Sequence, residues 1–186
     1  MQGLELVQRV VNKAQADMPE LNGIEVKKTL FRINRDIRFS KNKDPYKTNF
    51  GASIVPGGKN SGNPGYYIHI KPGDCFVGGG IYQPSPDALK KIRQEIDYNG
   101  DRLMQIIGRT VFKKLYKEPY AVDRLKTAPK GYPKDHEYLS LLQLKHIVFM
   151  QPITNEKVVK DGFVDHVVDS FLTLRPFNHF LQESLD

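Results

Sequence analysis

Leu4, Val7, Val10, Val11 and Ala14 recur at intervals of three and four residues, the spacing that lines one face of a helix, and Pro19 stops the pattern. A helix is expected over residues 3–17. It opens with no capping residue ahead of it, which suggests a preceding element. In "KTLFRINRDIRF" the period shortens to two and predicts a strand. Phe31, Ile33, Ile37 and Phe39 share one face; Arg32, Asn34, Asp36 and Arg38 share the other. Arg35 then falls on the apolar face, where a buried guanidinium needs a carboxylate such as Asp36 or Asp44. "FGASIVP" and "GYYIHI" read as two further strands joined by "GGKNSGNPG", an exposed connection by its glycines and proline. "DCFVGGGIY" reads as a fourth, in which Gly78 to Gly80 predict a bulge or the close approach of a backbone or ligand.

Helices dominate from there on. "SPDALKKIRQEI" opens one with Ser85 as N-cap and Pro86 at the first helical position. A second is expected from about Asn99 and a short basic one around Phe112 to Tyr116. A strand is expected over Leu144 to Gln151. Phe163, Val164, Val167, Val168, Phe171 and Leu172 form an apolar stripe, and Pro176 is expected to break it, with Phe177, Phe180 and Leu181 on a new helix. The regions are an N-terminal helix 3–17, a sheet-forming region 27–83, a mainly helical region 85–143, a strand 144–151 and C-terminal helices 155–185. Strands cluster early and helices late. That order predicts an α+β fold, a single domain over 1–186 with a largely antiparallel or mixed sheet packed against helices.

Composition changes this picture little. The 186 residues are 39% hydrophobic and 26% charged, which is ordinary for a globular chain. The net charge of +7 favours acidic partners: phosphates, nucleic acid or anionic lipid heads. Cys75 is the only cysteine, so no intramolecular disulfide forms, and inside an apolar strand it reads as a small core residue. With no basic n-region ahead of an apolar core and no apolar run long enough to cross a bilayer, a cytoplasmic protein without membrane partners is expected.

The candidate chemistry concentrates in "FRINRDIRFSKNKDPYKTNFG". Arg32, Arg35, Arg38, Lys41, Lys43 and Lys47 stand there against only Asp36 and Asp44. Guanidinium groups offer paired donors in one plane, so such a set forms a fork for phosphate or carboxylate. Arg32, Arg35 and Arg38 are the candidate anion clamps, and Lys43, Tyr46 and Lys47 the flanking donors. Asp36 is the orienting or acid–base carboxylate. A nucleic-acid-binding module would use the same charges to track a backbone. A plain scaffold would use them to tie a loop to the sheet. One Arg–Asp pair would favour the scaffold; six basic groups against two acids favour a ligand.

Elsewhere the signals are weaker. The loop "PGGKNSGNPG" offers backbone N–H groups to an anion, but Asn60 after Lys59 rules out a Walker A motif and a hairpin connection is the better reading. Of five histidines, none forms HExxH, and a single cysteine gives no CxxC pair, so no metal site is indicated; a cofactor is not legible. His69 alternates onto the face of Tyr67 and Lys71 and is a candidate acid–base group. His136 beside Asp135 is another, or else part of a capped turn. His166 with Asp165 and Asp169 resembles a solvated face. There is no GxSxG. Phe39, Tyr46, Phe50, Tyr66 and Tyr67 suit base stacking or, more simply, sheet packing. Oligomeric state is not legible.

The pattern Arg-x-x-Arg-Asp-x-Arg-Phe-x-x-(Asp/Asn)-Lys-x-x-Tyr occurs here as Arg32, Arg35, Asp36, Arg38, Phe39, Asn42, Lys43 and Tyr46. It resembles the signature of a family of bacterial and some fungal proteins known as a domain of unknown function. "PGYYIHIKPGDCFVGGGIYQPSPDALKKIRQEI" and "GYPKDHEYLSLLQLKH" are similar to further segments of that family. The resemblance runs from about Leu30 to the C-terminus. It implies the fold unit and the motif, usually with another helical stretch ahead of the first helix, and it implies no reaction.

Overall fold

The computed structural model describes residues 2–32 and 48–186. Helix α1 (Gln2–Ala14) is followed by a 3-10 turn (Pro19–Leu21) and a single helical turn, α2 (Val26–Thr29). Strands β1 (Phe50–Ile54), β2 (Gly65–Ile70) and β3 (Cys75–Ile81) come next. Helices α3 (Pro86–Ile107), α4 (Thr110–Leu115) and α5 (Leu139–Leu142) precede strand β4 (Ile147–Ile153). A short α6 (Asn155–Val158) and the long α7 (Phe163–Glu183) close the chain. The four strands pair antiparallel in the order β1-β2-β3-β4, with helices on one face, so the fold is α+β.

Alternation sorts the sheet into two faces. Ala52, Ile54, Tyr66, Ile68, Cys75, Val77, Ile81, Ile147, Phe149 and Ile153 point inward and are buried. Helix α7 packs across β3 on this inner face, and α1 and α3 pack against α7. Phe171, Leu174, Phe177, Phe180 and Leu181 supply its buried side, each worth roughly 1.5–3 kcal/mol of burial. Tyr66 lies over Phe171 with ring centroids 4.6 Å apart. Three buried polar residues here are bonded to one another: Ser170 Oγ donates to Gln151 Oε1 (2.8 Å) and the Tyr116 hydroxyl donates to the Ser170 carbonyl (3.0 Å).

The three glycines of β3 mark the approach of neighbouring backbone. A Cβ on Gly79 would lie 2.5 Å from the Gly65 carbonyl oxygen and 3.1 Å from Leu174, so α7 sits flush on the strand only because no side chain intervenes. Gly80 has φ +117°, and a Cβ there would lie 2.0 Å from the Ile147 carbonyl oxygen.

Two expectations are corrected. The strand predicted from Lys28 begins instead as the helical turn α2, because the Thr29 hydroxyl closes it by donating to the Val26 carbonyl (2.7 Å) while Val26 and Thr29 bury the same side. Leu30 makes one bridge to Ala52, and Phe31, expected in the core, is 45% exposed. Pro176 does not break the last helix: α7 runs through it. A proline removes one helical hydrogen bond, but Leu174 and Phe177 on either side of it are fully packed, and that burial holds the helix together. The second helix expected from Asn99 is the far half of α3, which bends where Asn99 leaves helical geometry (φ −124°, ψ 27°). Ser85 caps α3 as expected, its hydroxyl accepting from the Ala88 N–H. No helix among the described residues is long and apolar enough to cross a membrane.

Candidate functional site

The outer face of the sheet carries a different chemistry. In register across it stand Gly51 of β1, His69 of β2 and Phe76 of β3. Phe31 extends the same row beyond β1, its N–H donating to the Gly51 carbonyl (3.0 Å). At the ordinary strand spacing this puts the Phe31 backbone about 10 Å from that of His69. The His69 ring stacks on Phe76 (centroids 4.7 Å, planes 12° apart), and Tyr67 lies against both. Phe31 meets Tyr67 edge-on at 5.9 Å. Gly51 makes room for this: a Cβ there would lie 2.6 Å from the Tyr67 hydroxyl.

His69 and Tyr67 are half-buried, and that burial shifts both groups. Burial lowers the His69 pKa below the ordinary 6.5, with Asp74 opposing and Lys71 adding to the shift. The imidazole is therefore neutral at pH 7. The Tyr67 hydroxyl lies 3.4 Å from His69 Nδ1, and burial raises its own pKa. The pair is a neutral imidazole beside a protonated phenol on a ring-lined face.

Phe31 and Arg32 are the described residues at the start of the basic segment, and Thr48 is the first described residue after it, ahead of β1. Arg32 is exposed at that edge. Lys59 reaches over from the β1–β2 connection: its Nζ donates to the Leu30 carbonyl (2.8 Å) and sits 4.9 Å above the Phe31 ring. The connection is otherwise tied to itself through Ser61 Oγ and Asn63 Nδ2, both donating to the Pro56 carbonyl, as a hairpin loop would be. Arg35, Asp36, Arg38, Lys43, Tyr46 and Lys47 lie outside the described residues.

His136 is elsewhere. Its Nδ1 accepts from the Tyr138 N–H (3.0 Å), so Nε2 carries the proton and donates to Asp97 on α3 (2.8 Å). Tyr138 donates in turn to Asp101, which pushes its pKa up to about 12. This network fastens the 129–138 turn to the helical layer, and the partner of His136 is Asp97 rather than the adjacent Asp135. His69 and His136 are not brought together.

Sequence reasoning missed Phe76 and Lys59. Phe76 shares the parity of the outer face along β3, but only the β2–β3 register places it on His69, and register is not written in local pattern. Lys59 gave no signal beyond its charge. Cys75 is buried, as expected of a core residue. No cluster of three or more metal-binding side chains forms among the described residues.

The pattern of the family described as "Conserved hypothetical protein (DUF2461)" matches residues 2–180. The chain belongs to this family. The DUF2461 match takes in α1 and α2 as well as the segment that begins at Leu30, so the first helix is part of the family unit. No curated protein and no solved structure matches the chain.

Proposed function

We propose that this DUF2461 protein binds a phosphorylated or otherwise anionic small molecule at the edge of the outer sheet face. In this reading Arg32, Arg35 and Arg38 clamp the anion, and Lys43, Tyr46 and Lys47 donate around it. Asp36 orients an arginine or moves a proton. The ring face of Tyr67, His69 and Phe76 receives the uncharged part of the ligand, and neutral His69 accepts a proton if the bound molecule reacts. The observation that carries the reading is the position of His69. A half-buried imidazole kept neutral lies one strand in from Phe31, the described start of the most basic segment of the chain. His136, held by Asp97 on the helical side, has no part in it.

Thermal-shift screening against phosphometabolites and nucleotides, followed by calorimetry on Arg32→Gln and His69→Phe, tests the proposal. One ligand class should stabilise the protein with weak salt dependence, and both variants should lose it while melting like the parent. A steep loss of affinity with salt, measured on DNA or RNA without competition from any small anion, would replace this reading by a nucleic-acid module. Unfolding of Arg32→Gln would make the motif a scaffold.

A further inference from the structure

A second cationic site lies between α3 and α7, on residues outside the basic segment. The far half of α3 presents Arg102, Gln105 and, just past its end, Arg109, at the i, i+3, i+7 spacing of one helical face. Across from them α7 presents Arg175, His179 and Glu183 at the i, i+4, i+8 spacing of one face. The two stripes enclose a cleft of about 320 Å³ floored by Ile106 and Pro176.

Its guanidinium groups are only partly used. Arg175 gives Nε and Nη2 to the two oxygens of Glu20 (2.8 and 3.1 Å), which leaves Nη1 free of that pair. Arg102 gives one nitrogen to Glu183 and keeps Nε and the other Nη out of that bond. His179 Nε2 lies 3.6 Å from Glu20. Arg109 forms no ion pair with any described residue. Three arginines therefore line the cleft against one carboxylate, and with Glu20 balancing Arg175 a full positive charge remains at Arg109. The two hydrogen bonds to Glu20 hold the part-buried Arg175 side chain in advance, which lowers the ordering cost of binding an oxyanion, whereas Glu183 competes with an anion for the half-exposed Arg102. A cleft of this size stands at the small end of ligand pockets, which start at about 300 Å³, and suits a small molecule rather than a polymer.

We infer that the cleft between the far half of α3 and α7 is an anion site for a small phosphate monoester or similar oxyanion, seated on Arg109 between Arg102 and Arg175. Its lining residues are not those of the basic segment, and the inference does not depend on the function proposed for that segment.

Titration of the full chain with inorganic phosphate, followed by amide NMR, separates the two sites. Shifts at Gly108 to Thr110 and at Arg175 to His179 report the cleft; shifts at Phe31, Arg32 and Gly51 report the sheet edge. Arg109→Gln should weaken phosphate at the cleft at least tenfold and leave the sheet-edge shifts alone. Glu183→Gln removes the competing carboxylate and should tighten phosphate several-fold at the same resonances. Opposite responses of the two variants are expected only from an anion site. Absence of cleft shifts, or cleft shifts that neither variant alters, would overturn the assignment.

Discussion

The two faces of the sheet are built from the same four strands but obey different rules. On the inner face apolar side chains are buried against α7, and polar groups such as Gln151 and Ser170 spend their hydrogen bonds on each other. On the outer face Tyr67, His69 and Phe76 are half-buried, stack on one another, and keep a titratable nitrogen near water. The inner face explains why the chain folds. The outer face holds half-buried rings and a titratable nitrogen within reach of water, and such groups are the ones a ligand can use.

The contrast can be broken at graded strength. Gly80→Ala should do the most damage. Its positive φ and the nearby Ile147 carbonyl leave no place for a methyl group, so a loss on the order of 3 kcal/mol is expected in denaturant melts. Ser170→Ala comes next. It leaves buried Gln151 Oε1 without its donor and should cost roughly 1–3 kcal/mol by the same measurement. His69→Phe should be mildest, within about 1 kcal/mol at neutral pH, because an aromatic ring is kept on Phe76.

Acid sharpens that last comparison. The folded His69 pKa lies below the unfolded value near 6.5, so on acidification the unfolded chain takes up the proton first. Stability should fall as pH drops from 6.5 toward the folded value and level off below it. His69→Phe should remove part of this slope in melting temperature. A residual slope should persist because burial and the nearby Lys157 lower the His166 pKa in the same direction. An unchanged slope would mean that His69 is as well solvated folded as unfolded.

The helices and the sheet were legible because period and punctuation are local. The Ser85 cap, the alternation of "GYYIHI" and the stripe of α7 each lie within a few residues. Where the reading failed, distant packing overruled local preference. Pro176 stays inside a helix because the sheet and α3 press on its neighbours, and Phe31 leaves the core because the chain beyond α2 turns onto the outer face. The site was legible only in part. His69 was found from alternation, whereas its stacking on Phe76 and the partnership of His136 with Asp97 depend on which elements lie side by side.

The placement of α7 also bears on how the chain is made. The helix that covers the middle of the sheet follows β4 in the chain, while α1, which it joins in the core, precedes β1. A nascent chain that has emerged only through β4 carries a paired sheet whose inner face is still open to solvent. Completion of the core therefore waits until α7 has left the ribosome, and a stall before Phe163 would present that apolar face to chaperones or to other chains.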